Sequence, residues 1–244
     1  MFRIAVLLII TVFAALANST PKKSIVYDLA HGQRVMAHVD KQHQHIAKQL
    51  NATVINSTTP LSEKQLENTS LLYIRAPNQA FSDAEINAIV QYVRNGGSLL
   101  LVVDEERRQP LQTTQVNRLI SPFSMMLTQD TPYLHNAGAI AFAGEINRQV
   151  RELAFSGGRA VVGGTPFAFQ ITKEGKPGLP FAAYKNIDGS GRIVVMGEGM
   201  ASIFMGEDDA VRMSGEHRNP RNTKYWGKDS QIFMQEIIHW LTSR

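Results

Sequence analysis

Ser82 to Arg108, SDAEINAIVQYVRNGGSLLLVVDEERR, constrains the fold more than any other stretch of these 244 residues. Ser82 and Glu85 stand at capping-box spacing. Ile86, Ile89, Val90 and Val93 form one apolar stripe at helical intervals, and Gly96-Gly97 supplies the left-handed residue that ends a helix. The spacing predicts a helix over Ser82 to Asn95. Leu99 to Val103 is too short for a helix and apolar on both alternating faces, the pattern of a strand covered on both sides in a parallel sheet. Asp104, Glu105, Glu106, Arg107 and Arg108 leave that strand at its carboxyl end, the edge where open α/β sheets bind ligands.

The same alternation extends to both sides. Ser24 to Tyr27 reads as a strand, followed by the polar turn Asp28-Leu29-Ala30-His31-Gly32-Gln33. A helix over about Val35 to Leu50 has Val39, Ile46 and Leu50 on an apolar side and His38, Lys41, His45 and Lys48 on a wet one. Thr53 to Ile55 is a strand, Ser62 with Gln65 caps a short helix, and Leu71 to Ile74 is a buried strand that exits through Arg75, Ala76, Pro77 and Asn78. The result is β-α-β-α-β-α-β, which right-handed crossovers lay down as a three-layer sandwich. Further on, Val116, Leu119 and Ile120 suggest helical turns, and Ser124 to Gly144 has no firm assignment. Val161-Val162 is a short strand between glycine turns, and Phe167 to Ile171 with Phe181 to Tyr184 forms a hairpin. Arg192 to Met196 is the last strand, with Glu198 at its exit, and a helix over about Ser230 to Leu241 closes the chain. The fold class is therefore α/β, a three-layer sandwich with a mostly parallel sheet and a C-terminal β-hairpin region.

Arg3, the apolar run Ile4 to Phe13 and the small residues Ala15-Leu16-Ala17 have the form of a Sec signal peptide over residues 1–17. The run falls short of the ~18 to 20 residues that span a bilayer, so no integral membrane span is expected after cleavage. The chain has no cysteine, which excludes disulfides, Cys-ligated metals and a cysteine nucleophile. Export without disulfides points to a periplasmic or secreted protein. The net charge of +4 is spread along the chain, so no nucleic-acid groove is expected.

Asp28, His31 and Gln33 are the strongest chemical cluster. A carboxylate three residues from an imidazole can orient it as a base, and Gln33 can donate to a substrate oxygen; the plainer reading is a turn in which Asp28 caps amides and His31 packs. Asp104, Glu105 and Glu198 leave neighbouring strand ends, where they suit sugar hydroxyls or a divalent metal, or else cap turns and pair with Arg107. His38, His43 and His45 lack metal-ligand spacing and read as a wet helix face. Arg75, Asn78, Asn219, Asn222 and Trp226 suit a carbohydrate or carboxylated ligand through planar donors and an aromatic face. The last three belong to a long polar loop over Glu207 to Lys228. No cofactor and no metal set is indicated.

Three pieces carry a family resemblance: Tyr27 to Gln33 after the first strand, the helix-Gly-Gly-strand-Asp unit at Ser82 to Asp104, and Gly191 to Glu198 with Phe204 and Trp240-Leu241. Their order resembles the class I glutamine-amidotransferase-like superfold, and within it the gliding-motility, intraflagellar-transport and ThuA-like group known as GIFT domains. The resemblance implies a flavodoxin-like three-layer sandwich, in a single domain over residues 18–244, with no settled activity, since many members bind or scaffold. It also implies no glutamine hydrolysis here, because the elbow cysteine of the catalytic members is absent. The first expectation is a non-catalytic envelope domain that binds a small polar ligand, a sugar or cell-wall fragment, or serves as an accessory subunit to a protein partner. The alternative is a hydrolase using Asp28 and His31 with Asp104 or Glu198, metal-assisted or not. An exposed apolar patch in place of a polar cleft would favour a protein partner.

Overall fold

The computed structural model describes residues 23–33, 37–132, 138–155, 157–188, 190–203 and 227–243. The leader, Phe204, and Asn219, Asn222 and Trp226 of the long loop lie outside the described residues.

The first half is the anticipated alternation: β1 (Lys23–Asp28), α1 (Ala37–Gln49), β2 (Ala52–Ser57), α2 (Glu63–Leu66), β3 (Leu71–Arg75), α3 (Asp83–Arg94) and β4 (Ser98–Val102). Both capping boxes form as spaced in the sequence, Ser62 with Gln65 and Ser82 with Glu85. Gly96 takes the left-handed conformation after α3, at φ 103°. The middle of the chain forms α4 (Leu111–Thr114), α5 (Asn117–Ile120), a 3-10 turn (Ser121–Phe123), β5 (Met126–Asp130), β6 (Ala139–Ala141), β7 (Arg151–Leu153) and β8 (Arg159–Val162). The hairpin is β9 (Thr165–Ile171) with β10 (Pro177–Ile187), followed by β11 (Gly191–Met196), α6 (Met200–Ile203) and the closing helix α7 (Ser230–Thr242).

One nine-stranded sheet dominates, in the order β2-β1-β3-β4-β11-β10-β9-β6-β7. The first five strands are mutually parallel, as in a flavodoxin-like sheet, and β10, β9, β6 and β7 continue it antiparallel. The hairpin thus extends the main sheet, and β6, from the unassigned stretch, and β7 after it widen it further. β5 and β8 pair separately.

Alternate residues of the central strands feed opposite cores, because side chains of a strand alternate across the sheet. Tyr27, Leu100, Val102, Val194 and Met196 join Phe233, Ile237 and Leu241 of α7 on one face. Val26, Leu99, Leu101, Ile193 and Val195 join Ile86, Ile89 and Val93 of α3 on the other. This is the three-layer arrangement. It brings the ends of β1, β3, β4 and β11 to one edge.

Candidate functional site

At that edge β1 ends in Asp28, which is fully buried. Its Oδ1 accepts from the Ala30 amide at 3.1 Å, while its Oδ2 faces His31 Nδ1 at 2.8 Å and accepts from Gln33 Nε2. Gln33 Oε1 in turn accepts from the His31 amide at 2.9 Å. The second ring nitrogen of His31, Nε2, lies 3.1 Å from Glu85 Oε1, and Phe81 stacks on the ring at 3.7 Å between centroids. Glu85 also accepts from the Leu61 amide at 2.9 Å and, at its cap, from the Ser82 amide and hydroxyl at 2.9 and 2.7 Å. Burial alone would raise the Glu85 carboxyl. The donors from Ser82 and Leu61, with His31 beside it, outweigh that and hold it below its ordinary value.

Asp28, His31 and Gln33 are therefore together, as the turn spacing implied, and they are occupied with one another. Both nitrogens of His31 and both ends of the Gln33 amide are engaged within the protein. Glu85 is the member that sequence reasoning missed. Its capping role was legible, and the signal left unused is that a carboxylate has acceptor positions beyond those a cap consumes.

Arg75 and Asn78, at the exit of β3, brace the same edge. Buried Arg75 donates through Nε to the Tyr27 hydroxyl at 2.7 Å. Asn78 donates from its amide to the His31 carbonyl and from its side chain to the Gly32 carbonyl, both at 2.8 Å. Gly32 itself sits at φ 70°, where a side chain would strain the turn.

Asp104 leaves β4, two strands from Asp28, and Glu198 leaves β11, one strand further on. Asp104 accepts from Arg108 Nη1 at 2.7 Å and from the Glu105 amide at 2.9 Å. Burial pushes its carboxyl up against the pull of Arg108. Glu198 is fully buried and accepts from the Met200 and Ala201 amides at 2.7 and 3.3 Å. Burial first, and the Asp104 charge second, push it well above the ordinary carboxylate range. Glu105 is buried and pairs with Arg107 at 2.6 Å and Arg108 at 3.4 Å, so its carboxylate is not simply solvated. Beneath them Arg159, completely buried, donates to the carbonyls of Asp104, Thr128 and Gln109 and to Glu106. The glycines around Arg159 had suggested only turns, yet its guanidinium ties β8 to the stretch 104–109 and to β5. Among the described residues no group of three His, Asp or Glu gathers to hold a metal ion.

The antiparallel wing presents a different surface. Met126 pairs with Val162 across β5 and β8, and both are about half exposed. Val162 lines an apolar groove of ≈ 600 Å³ with Pro166, Leu179 and Pro180, and Asp130 is the charged residue among its described lining. Pro180 is in register with Phe169, whose ring meets exposed Phe142 at 5.5 Å. The wing thus exposes Met126, Phe142, Val162 and Leu179.

A family model for the IFT52 GIFT domain matches residues 24–166, more than half of the chain. The chain belongs to the IFT52 GIFT domain family. This GIFT domain is similar in structure to the mmIFT52 N-terminal domain, at 15% identity over 91% of this chain and 98% of that one, with a TM-score of 0.65. It is also similar to a cytoplasmic protein from Salmonella typhimurium, at 11% identity over 88% of this chain and 98% of that one (TM-score 0.53). A ThuA-like protein from Parabacteroides merdae matches at 9% identity over 91% and 90%, again with a TM-score of 0.53. At these identities the likeness is one of fold. A search of curated protein sequences returned no match. The GIFT match spans β1 to the start of β9, so the Asp28–His31–Glu85 cluster and the groove strands β5 and β8 lie within it.

Proposed function

We propose that this GIFT domain is a non-catalytic accessory subunit, exported to the bacterial envelope by its apolar leader, that acts by holding a protein partner. The observation that carries the reading is the state of the carboxyl edge. Every polar side chain expected to act there is engaged within the fold: His31 on two carboxylates, Gln33 at both ends, Glu198 on backbone amides. A general base needs a lone pair directed at a reacting proton, and a ligand site needs donors and acceptors to spare. The groove lined by Val162, Leu179 and Pro180, with Met126 and Phe142 also exposed on the wing, supports a protein partner. Residues Ile4 to Phe13 support export.

The test is cross-linking of the full chain in its native cells, wild type against a Val162→Asp/Leu179→Asp variant. The reading expects cross-links from the groove to one partner, lost in the variant while its melting temperature is kept. A rise in melting temperature with sugars or muropeptides that Asp28→Asn abolishes would overturn it in favour of a small polar ligand at the edge.

A further inference from the structure

His43 was expected on the wet face of α1, and the structure places it inside. It is 6% exposed, edge-on to the rings of Tyr27 at 5.3 Å and Tyr73 at 4.9 Å between centroids. Neither ring nitrogen has a hydrogen-bond partner among the described residues. The neighbours bring a guanidinium and two carboxylates, none of them bonded to the ring. From β3 come the Tyr73 phenol and the Arg75 guanidinium, which is held on Tyr27. From β1 come Tyr27 itself and Asp28, whose oxygens are taken by Ala30, His31 and Gln33. From α6 comes Ser202, beside the Tyr73 hydroxyl. On α1, Asp40 one turn earlier acts on Tyr27.

We propose that His43 makes the seating of α1 on the sheet acid-labile: the neutral ring packs between two tyrosines, and the protonated ring, unpartnered and beside Arg75, releases the helix. Burial, and then the Arg75 charge, lower the imidazole from 6.5 to about 3 in the seated state. The released helix binds a proton from 6.5 downward, so the seated state is fully favoured above that pH. It loses about tenfold in population ratio for each unit below, until the seated ring itself titrates. α1 is the element to yield first. Among its residues with described side chains only His43, Ile46 and Ala47 are buried, whereas β3 and β4 are buried along their whole length.

The test uses the full chain, with NMR titration of the His43 ring and amide exchange corrected for intrinsic rates. Between about pH 7 and about pH 5 the protection of α1 amides should fall about 25-fold, while β3 and β4 stay within about threefold. His43→Phe and His43→Gln should flatten the α1 response, and the wild-type ring should stay neutral across that range. A ring that titrates near its ordinary value in the folded protein, or equal acid loss of α1 protection in both variants, would overturn the proposal. If neither variant folds, the ring titration decides alone.

Discussion

His31 Nε2 lies 3.1 Å from Glu85 Oε1, so the residue that caps α3 also clamps the turn leaving β1. Through Leu61, whose amide Glu85 accepts, the start of α2 is tied to the same point. A cluster that reads in sequence as a catalytic dyad is, in the fold, a junction between three connections.

Arg159 should be as costly to lose as any core residue. It is buried completely, and Arg159→Met leaves three carbonyls and Glu106 without their donor. The expected loss is about 3 kcal/mol, read from urea denaturation midpoints. Arg159→Lys should rescue little of it, because a single ammonium cannot span the same fork.

Glu198 sets an alkaline limit. Its folded pKa is raised, by burial and then by Asp104, so the folded state holds the proton more tightly than the unfolded chain. Its contribution is therefore fully present below the ordinary glutamate value and is lost as pH rises through the folded value. Glu198→Gln should remove that slope from a plot of stability against pH; an unchanged slope would place the titration elsewhere.

Gly191 opens β11 where it passes the end of α3, and a Cβ there would collide with the Val93 carbonyl. Gly191→Ala should cost about 1–3 kcal/mol, because the obstacle is backbone and cannot rotate away. Differential scanning calorimetry against wild type measures it.

The groove should tolerate charge. Val162 and Leu179 are 51% and 41% exposed, so Val162→Asp and Leu179→Asp should each shift stability by less than about 0.5 kcal/mol while removing partner cross-links. A large loss of stability from either would mean that these side chains belong to the core.

The α/β half was legible because its determinants are local: capping boxes, the Ile86 to Val93 stripe and the Gly96 stop are settled within a few residues. The wing was not. β6 and β7 are three residues each and owe their place in the sheet to pairing with one another and, through β6, with β9, a contact that no local pattern records. At the candidate site the turn Asp28 to Gln33 was found from spacing, whereas Glu85 and Arg159 depend on tertiary partners. His43 was misread because helical periodicity marks a histidine as polar, and here two tyrosines of neighbouring strands enclose it.

The central claim, that the edge cluster holds the fold and does not act on a substrate, is tested most directly by a double-mutant cycle between His31 and Glu85. Urea denaturation of His31→Ala, Glu85→Gln and the double variant should show both singles destabilised and a coupling of about 1–3 kcal/mol. Near-neutral single variants with no coupling would contradict the account and return His31 to the list of residues free to act.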